Sequence, residues 1–260
     1  MADIDGLEAV TLKLDWAQKQ HELWHDAYSA WLERKPYALV GGEGVNGFFE
    51  IRLRESEPPP PEIFLLFSDL VHNLRTTLDY IVCGLIRQHG GSDEHVGFPV
   101  VREAKDWLSA VGGNLKGFPS LWRNVIEDAQ PFQYGPRAET HPLYVLHHLD
   151  IRNKHRFPVN FVVTSFEWTA TYELNRSALD GEYVQAWMCP LGTEAKDGEL
   201  IAISRPVSEH DDLRITKILN IHEARLAIGP RSDVTTFSGN LPNLLLYVGS
   251  LVEAITPAFA

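Results

Sequence analysis

The chain has 260 residues, 44% hydrophobic and 22% charged, enough to bury a real core in one large domain or two small ones. Its formal net charge of −12 excludes a general duplex-DNA binder, which gains affinity by neutralising phosphates with Lys and Arg, and disfavours anionic membrane surfaces. The composition also excludes collagen-like, disordered and repeat architectures.

Residues 1–8 are acidic, with no basic or apolar stretch, so no secretory signal is expected. The longest apolar runs, Ile63–Phe67 and Leu244–Val248, are far too short to cross a bilayer. A cytoplasmic protein with no membrane partner is expected. Cys83 and Cys189 lie far apart and outside any CxxC, so both are read as buried free thiols.

The first helix is predicted over Gly6–Glu33. Leu7, Val10, Leu14, Ala17, Trp24, Tyr28 and Trp31 recur at three- and four-residue steps and make one apolar face. His21 falls on that stripe, while Lys13, Lys19, Glu22 and Asp26 are placed elsewhere. After Pro36, Tyr37–Val40 and Phe48–Arg54 read as a β-hairpin around a Gly-rich turn. That turn, Gly41–Gly47, lacks the Gly-Lys-Ser/Thr ending of a phosphate loop and leads into a strand.

Pro58–Pro61 is a stiff spacer. A second long helix opens at Pro61 or Glu62 and stops at Gly90-Gly91. Its apolar face is Ile63, Phe67, Leu70, Leu74, Leu78, Ile81 and Leu85. Short helices follow over Glu103–Val111 and Ser120–Asp128, and another runs from Pro142 to about Lys154.

Beyond Pro158 the apolar period changes from about 3.6 to 2. Strands are predicted over Val159–Phe166, Trp168–Leu174, Glu182–Cys189, Glu199–Arg205 and Leu213–Ile228, with hairpin turns at Asp180-Gly181 and Asp197-Gly198. A last helix spans Pro242–Ile255, capped by Ser238 or Asn240. The expected fold class is α+β. Residues 1–157 form a helical bundle with an inserted β-hairpin. Residues 158–260 form an antiparallel sheet and a terminal helix, packed on the first part.

Polar chemistry concentrates in two helical segments. In His72-Asn73-Leu74-Arg75-Thr76-Thr77-Leu78-Asp79, His72, Arg75 or Thr76, and Asp79 share one side, with Asn73 on its border. Arg75 and Asp79 are an i,i+4 ion pair, worth at most roughly 0.5 kcal/mol on a solvated face. The second segment, Asp150-Ile151-Arg152-Asn153-Lys154-His155-Arg156, follows His147-His148 and is the densest basic patch of an acidic chain. Cations there complement the helix dipole, and they would also hold an anion such as a phosphate. If the two helices face each other, Asp150 meets Arg75, and Asp79 meets Arg152 or Lys154.

Three motifs, in order, carry a resemblance. His72-Asn73-Leu74-Arg75 with Leu78-Asp79, then Gln130-Pro131-Phe132, then Leu149-Asp150 with Lys154-His155-Arg156, resemble a widespread family of uncharacterised bacterial and phage proteins over roughly residues 1–160. That resemblance implies no particular activity. Arg152-Asn153 followed by His155 also resembles, at a shorter spacing, the Arg-polar-gap-His signature of HEPN helical bundles. Many of those are metal-independent ribonucleases whose sites form between two subunits.

Three readings follow. The first is an interaction protein of phage or bacterial origin, with a protein partner, whose polar segments hold helices in register. The second, implied by the HEPN resemblance, is RNA cleavage by a homodimer without a cofactor. His155 or His72 would take the proton of a ribose 2′-hydroxyl. Arg152, Arg75 and Lys154 would stabilise phosphate charge, and Asn153 or Asn73 would orient substrate. The third is a metal site drawn from His72, Asp79, His147, His148, Asp150 and His155, although no HExxH, ExxH or Cys-rich spacing is present. On the first two readings, neither cofactor nor metal is expected.

Overall fold

The computed structural model describes residues 6–44, 49–155, 161–167, 172–174, 185–188, 194–195, 197–205, 215–218, 222–228, 235–236 and 241–260. The fold is α+β: a helical bundle, antiparallel sheets and a C-terminal helix. The chain clusters into two compact units. One comprises Met1–Ala27, Pro61–Val159 and Gly239–Ala260; the other comprises Tyr28–Pro60 and Asn160–Ser238.

Two 28-residue helices dominate the first unit, α1 (Gly6–Glu33, whose last turns belong to the second unit) and α2 (Pro61–Gln88). Pro61 opens α2, where its missing N–H costs nothing. Gly90 closes it at φ 75°. There the Gly91 N–H donates to the Ile86 carbonyl at 2.9 Å and the Gly90 N–H to the Arg87 carbonyl at 2.9 Å. This is a Schellman ending, and it needs a residue at ease with positive φ.

The two helices run antiparallel. Gly6 abuts Gly84 so closely that a Cβ on Gly6 would lie 2.9 Å from the Gly84 Cα. At the other end the Trp24 and Phe67 rings sit 6.3 Å apart. The predicted face of α2, from Ile63 to Leu85, is buried throughout. Burial of each such aliphatic side chain contributes roughly 1.5–3 kcal/mol.

The short helices α3 (Trp107–Gly112) and α4 (Arg123–Asp128) each follow a 3-10 turn, and α5 spans Pro142–His155. The last helix, α6 (Leu241–Ile255), packs on α2 and α5, with Leu241, Leu244, Val248, Val252 and Ile255 buried. Its expected caps, Ser238 and Asn240, lie outside the described residues. With the following 3-10 turn, Leu241–Phe259 makes 19 residues of mean hydropathy 1.2, long and apolar enough by composition to cross a membrane. The sequence shows only the short run Leu244–Val248, because Asn243 precedes it and Gly249-Ser250 ends it.

The second unit holds the strands. Strands β1 (Tyr37–Glu43), β2 (Phe49–Glu55), β5 (Gln185–Met188) and β7 (Leu200–Arg205) form an antiparallel sheet in the order β1-β2-β7-β5. A second sheet joins β10 (Thr235–Thr236), β9 (His222–Ile228), β3 (Phe161–Glu167) and β6 (Glu194–Ala195), and β4 (Tyr172–Leu174) pairs with β8 (Ile215–Ile218).

This division differs from a single cut after residue 157. The hairpin is not an insertion of the bundle, since β2 hydrogen-bonds β7 across a register from Phe49↔Ser204 to Arg52↔Leu200. Conversely, α6 is part of the bundle unit. Asp197-Gly198 is a turn, with Gly198 at φ 79°, but it joins strands of two sheets: β6 pairs with β3, and β7 with β2 and β5. The single strand expected over Leu213–Ile228 is two, β8 and β9. Asp180-Gly181 and Cys189 lie outside the described residues. Cys83 is a free, half-buried thiol, its pKa pushed up by burial and then by Asp93 and Asp79.

Candidate functional site

The polar residues of α2 point in three directions, and each has a different partner. Asn73 turns toward α1. Its amide nitrogen donates to Gln20 Oε1 at 2.7 Å and to the Asp69 carbonyl at 3.0 Å, while its Oδ1 accepts from Lys13 Nζ at 2.8 Å. Three of the four bonds an asparagine can make are formed. Lys13, expected away from the interface, is half-buried and reaches over the Tyr80 ring at 5.7 Å. Gln20 is buried. Its place among Ala17, Trp24 and the rest of the apolar stripe was the signal that it needs a partner.

Arg75 and Asp79 form the expected i,i+4 pair, with Nη1 donating to Oδ1 at 2.7 Å. They also close a ring around the backbone of Phe98. Arg75 Nη2 donates to the Phe98 carbonyl at 2.8 Å, and the Phe98 N–H donates to the same Asp79 oxygen at 2.9 Å. The ring depends on Gly97, where a Cβ would stand 2.9 Å from Asp79 Oδ1.

The Gln130-Pro131-Phe132 turn grips the same strip of chain three residues on. Buried Gln130 accepts from the Val101 N–H at 2.8 Å through Oε1 and donates to the Ile126 carbonyl at 2.9 Å through Nε2. The Phe132 N–H reaches the Val101 carbonyl at 3.2 Å. Two of the three sequence motifs therefore converge on residues 97–101, a segment with no regular secondary structure and no ladder of its own. Side chains satisfy backbone groups that a sheet would otherwise satisfy.

His72 faces α5. Its Nδ1 lies 3.0 Å from Asp150 Oδ1. The Asp150 side chain is only 4% exposed, while that of His72 is 47% exposed. With Nδ1 donating to the carboxylate, Nε2 is the lone-pair nitrogen. This is the base-and-orienter arrangement used in proton transfer.

One turn before Asp150, His147 has a buried Nδ1 without a hydrogen-bond partner. Burial first, then Arg75 and His148, push its pKa down to about 4, so the ring is neutral near pH 7. His148 packs beside Tyr144, with ring centroids 4.2 Å apart and the planes tilted by 48°.

A second histidine node joins α6 to the start of α5. His141 Nδ1 accepts from the Leu143 N–H at 3.2 Å, which leaves the proton on Nε2, 3.4 Å from the Tyr247 hydroxyl. That hydroxyl donates to the Ala129 carbonyl at 2.8 Å. Burial pushes His141 down and Tyr247 up. Sequence reading missed this node, because a lone His and a lone Tyr more than 100 positions apart give no periodic signal.

The two polar segments do meet, since α2 and α5 pack together and His72 bonds Asp150. Asp79 takes Arg75 of its own helix, the expected i,i+4 pair, while Asp150 takes His72 where Arg75 was expected. Arg152, Asn153, Lys154 and His155 occupy the last turn of α5, but their side chains lie outside the described residues, as does Arg156 entirely. Among the described residues no three His, Cys, Asp or Glu side chains are grouped to hold a metal ion. Comparison with family models, with curated proteins and with solved structures finds no match to this chain.

Proposed function

We propose that the chain is a cytoplasmic interaction protein in which the polar residues of the bundle are scaffold rather than catalytic machinery. The Arg75–Asp79–Phe98 ring carries this reading. The buried guanidinium bonds the Asp79 carboxylate and a main-chain carbonyl, and the Asp79 oxygen that takes it also takes an N–H. Removing Asp79 leaves the buried guanidinium unpaired, and removing Arg75 strips the Phe98 carbonyl and the partly exposed Asp79 carboxylate of their donor. Arg75→Ala and Asp79→Ala should each lower the melting temperature. Unchanged melting in both variants would overturn the reading.

One observation favours a second reading, RNA cleavage without metal. His72, oriented by buried Asp150 and half open to solvent, has the form of a general base for a ribose 2′-hydroxyl. In this reading Asp150 positions the imidazole. Arg152, Lys154 and His155 are proposed for the phosphate and leaving group. The assay is cleavage of single-stranded RNA in EDTA by the wild type and by His72→Ala, His155→Ala and Arg152→Ala. Equal traces across all four proteins would remove this reading.

A further inference from the structure

We propose that the outward side of the α1–α2 pair is a docking groove for a cationic amphipathic helix of another protein. The inference rests on the interaction reading above and names the chemistry of the partner. On α1, Leu12, Trp16 and Leu23 recur at steps of four and seven and so share one side of the helix. They are 50%, 50% and 49% exposed. Single exposed apolar residues are ordinary, but a row of three in register on one helix is the pattern that marks a contact surface.

The row borders the buried seam between the helices. Gln20, one turn from both Trp16 and Leu23, bonds Asn73 there. Across the seam stands Tyr80 of α2, also exposed, with Lys13 bridging the two walls over its ring. The apolar row spans about 16 Å at 1.5 Å per residue, which matches three turns of an incoming helix laid along the groove.

Charge selects the occupant. Asp15, Glu22 and Asp26 line the α1 bank beyond the apolar row and Asp69 lines the α2 bank, three carboxylates on α1 against Lys19 at the edge of the row; all are exposed. A second copy of this chain would bring the same carboxylates to the same banks, in a protein already at −12. A helix with Leu-type residues on one face and Lys or Arg on both flanks satisfies the row and the banks together.

The experiment uses the full chain and two labelled 20-residue helical peptides. Both carry leucines on one face; one is flanked by lysines and the other by glutamates. Fluorescence anisotropy should show the lysine peptide binding at least tenfold more tightly. Its affinity should fall with added salt and drop at least tenfold in Trp16→Glu, with no change in that variant's melting temperature. Asp15→Asn combined with Glu22→Gln should shrink the preference between the peptides. Failure to bind either peptide, equal binding of both, or binding indifferent to Trp16→Glu overturns the proposal. So does a dimer by light scattering that Trp16→Glu makes monomeric, which would give the groove to a second copy. The scaffold reading is judged separately, by the melting of Arg75→Ala and Asp79→Ala.

Discussion

Two polar pairs start from α2 one turn apart, one within the helix and one reaching to α5, and differ in what they leave over. Arg75 and Asp79 spend their groups on each other and on the backbone of Phe98. His72 and Asp150 are joined by one bond, with the carboxylate buried and the imidazole half in solvent. The first is tied at two points to the backbone of a segment that has no secondary structure to satisfy it, so its worth is structural. The second is open at one end. The same helix therefore carries both a lock and a group free to meet something outside, and composition alone does not distinguish them.

The largest effect expected on this contrast is from Arg75→Ala. It leaves the Asp79 carboxylate and the Phe98 carbonyl without the guanidinium, and the loss should be about 3 kcal/mol. For a chain of this size that is a fall of roughly 6–12 °C in melting temperature.

Gln130→Ala comes next. It strands the buried Val101 N–H, at about 1–3 kcal/mol, and should expose residues 97–101 to faster hydrogen exchange. Normal protection there would separate the Gln130 latch from the Arg75 ring.

A pH effect is expected from His147. Its folded pKa of about 4 lies below the ordinary 6.5, so the unfolded chain binds the extra proton first. Stability is full above about pH 6.5 and is lost as pH falls toward 4. The loss is of order 1–2 kcal/mol, allowing for the ring's partial exposure. Urea melts at pH 7 and pH 4.5 on the wild type and His147→Leu would show it: the variant should lose less between the two. An equal loss in both would assign the acid sensitivity elsewhere, with buried His141 the next candidate.

The smallest stability change is expected from His72→Asn, under about 1 kcal/mol, because an amide N–H can still serve the buried Asp150 carboxylate. A large destabilisation would move His72–Asp150 into the scaffold and weaken the ribonuclease reading.

Much of this was legible in the sequence where the signal is local. The faces of α1 and α2, the glycine stop at Gly90-Gly91 and the Arg75–Asp79 pair all follow from helical spacing within one element. The meeting of the two polar segments was legible too, but its pairing was not. Whether Asp150 meets His72 or Arg75 depends on the rotation of α5 against α2, which packing decides. The hairpin's place was illegible for a similar reason. Nothing local tells β2 that its neighbour lies some 150 residues on, in β7. Lys13 and Gln20 needed a partner that only the antiparallel course of α1 and α2 supplies.

The most direct measurement is a double-mutant cycle on Arg75 and Asp79, read by denaturant unfolding of Arg75→Ala, Asp79→Ala and the pair. Each single change should destabilise the chain. The double change should cost clearly less than the two together, with a coupling of about 1–3 kcal/mol, since the second substitution removes a charge already stranded by the first. Two small, additive losses would mean that the ring holds nothing, and the scaffold account would be contradicted.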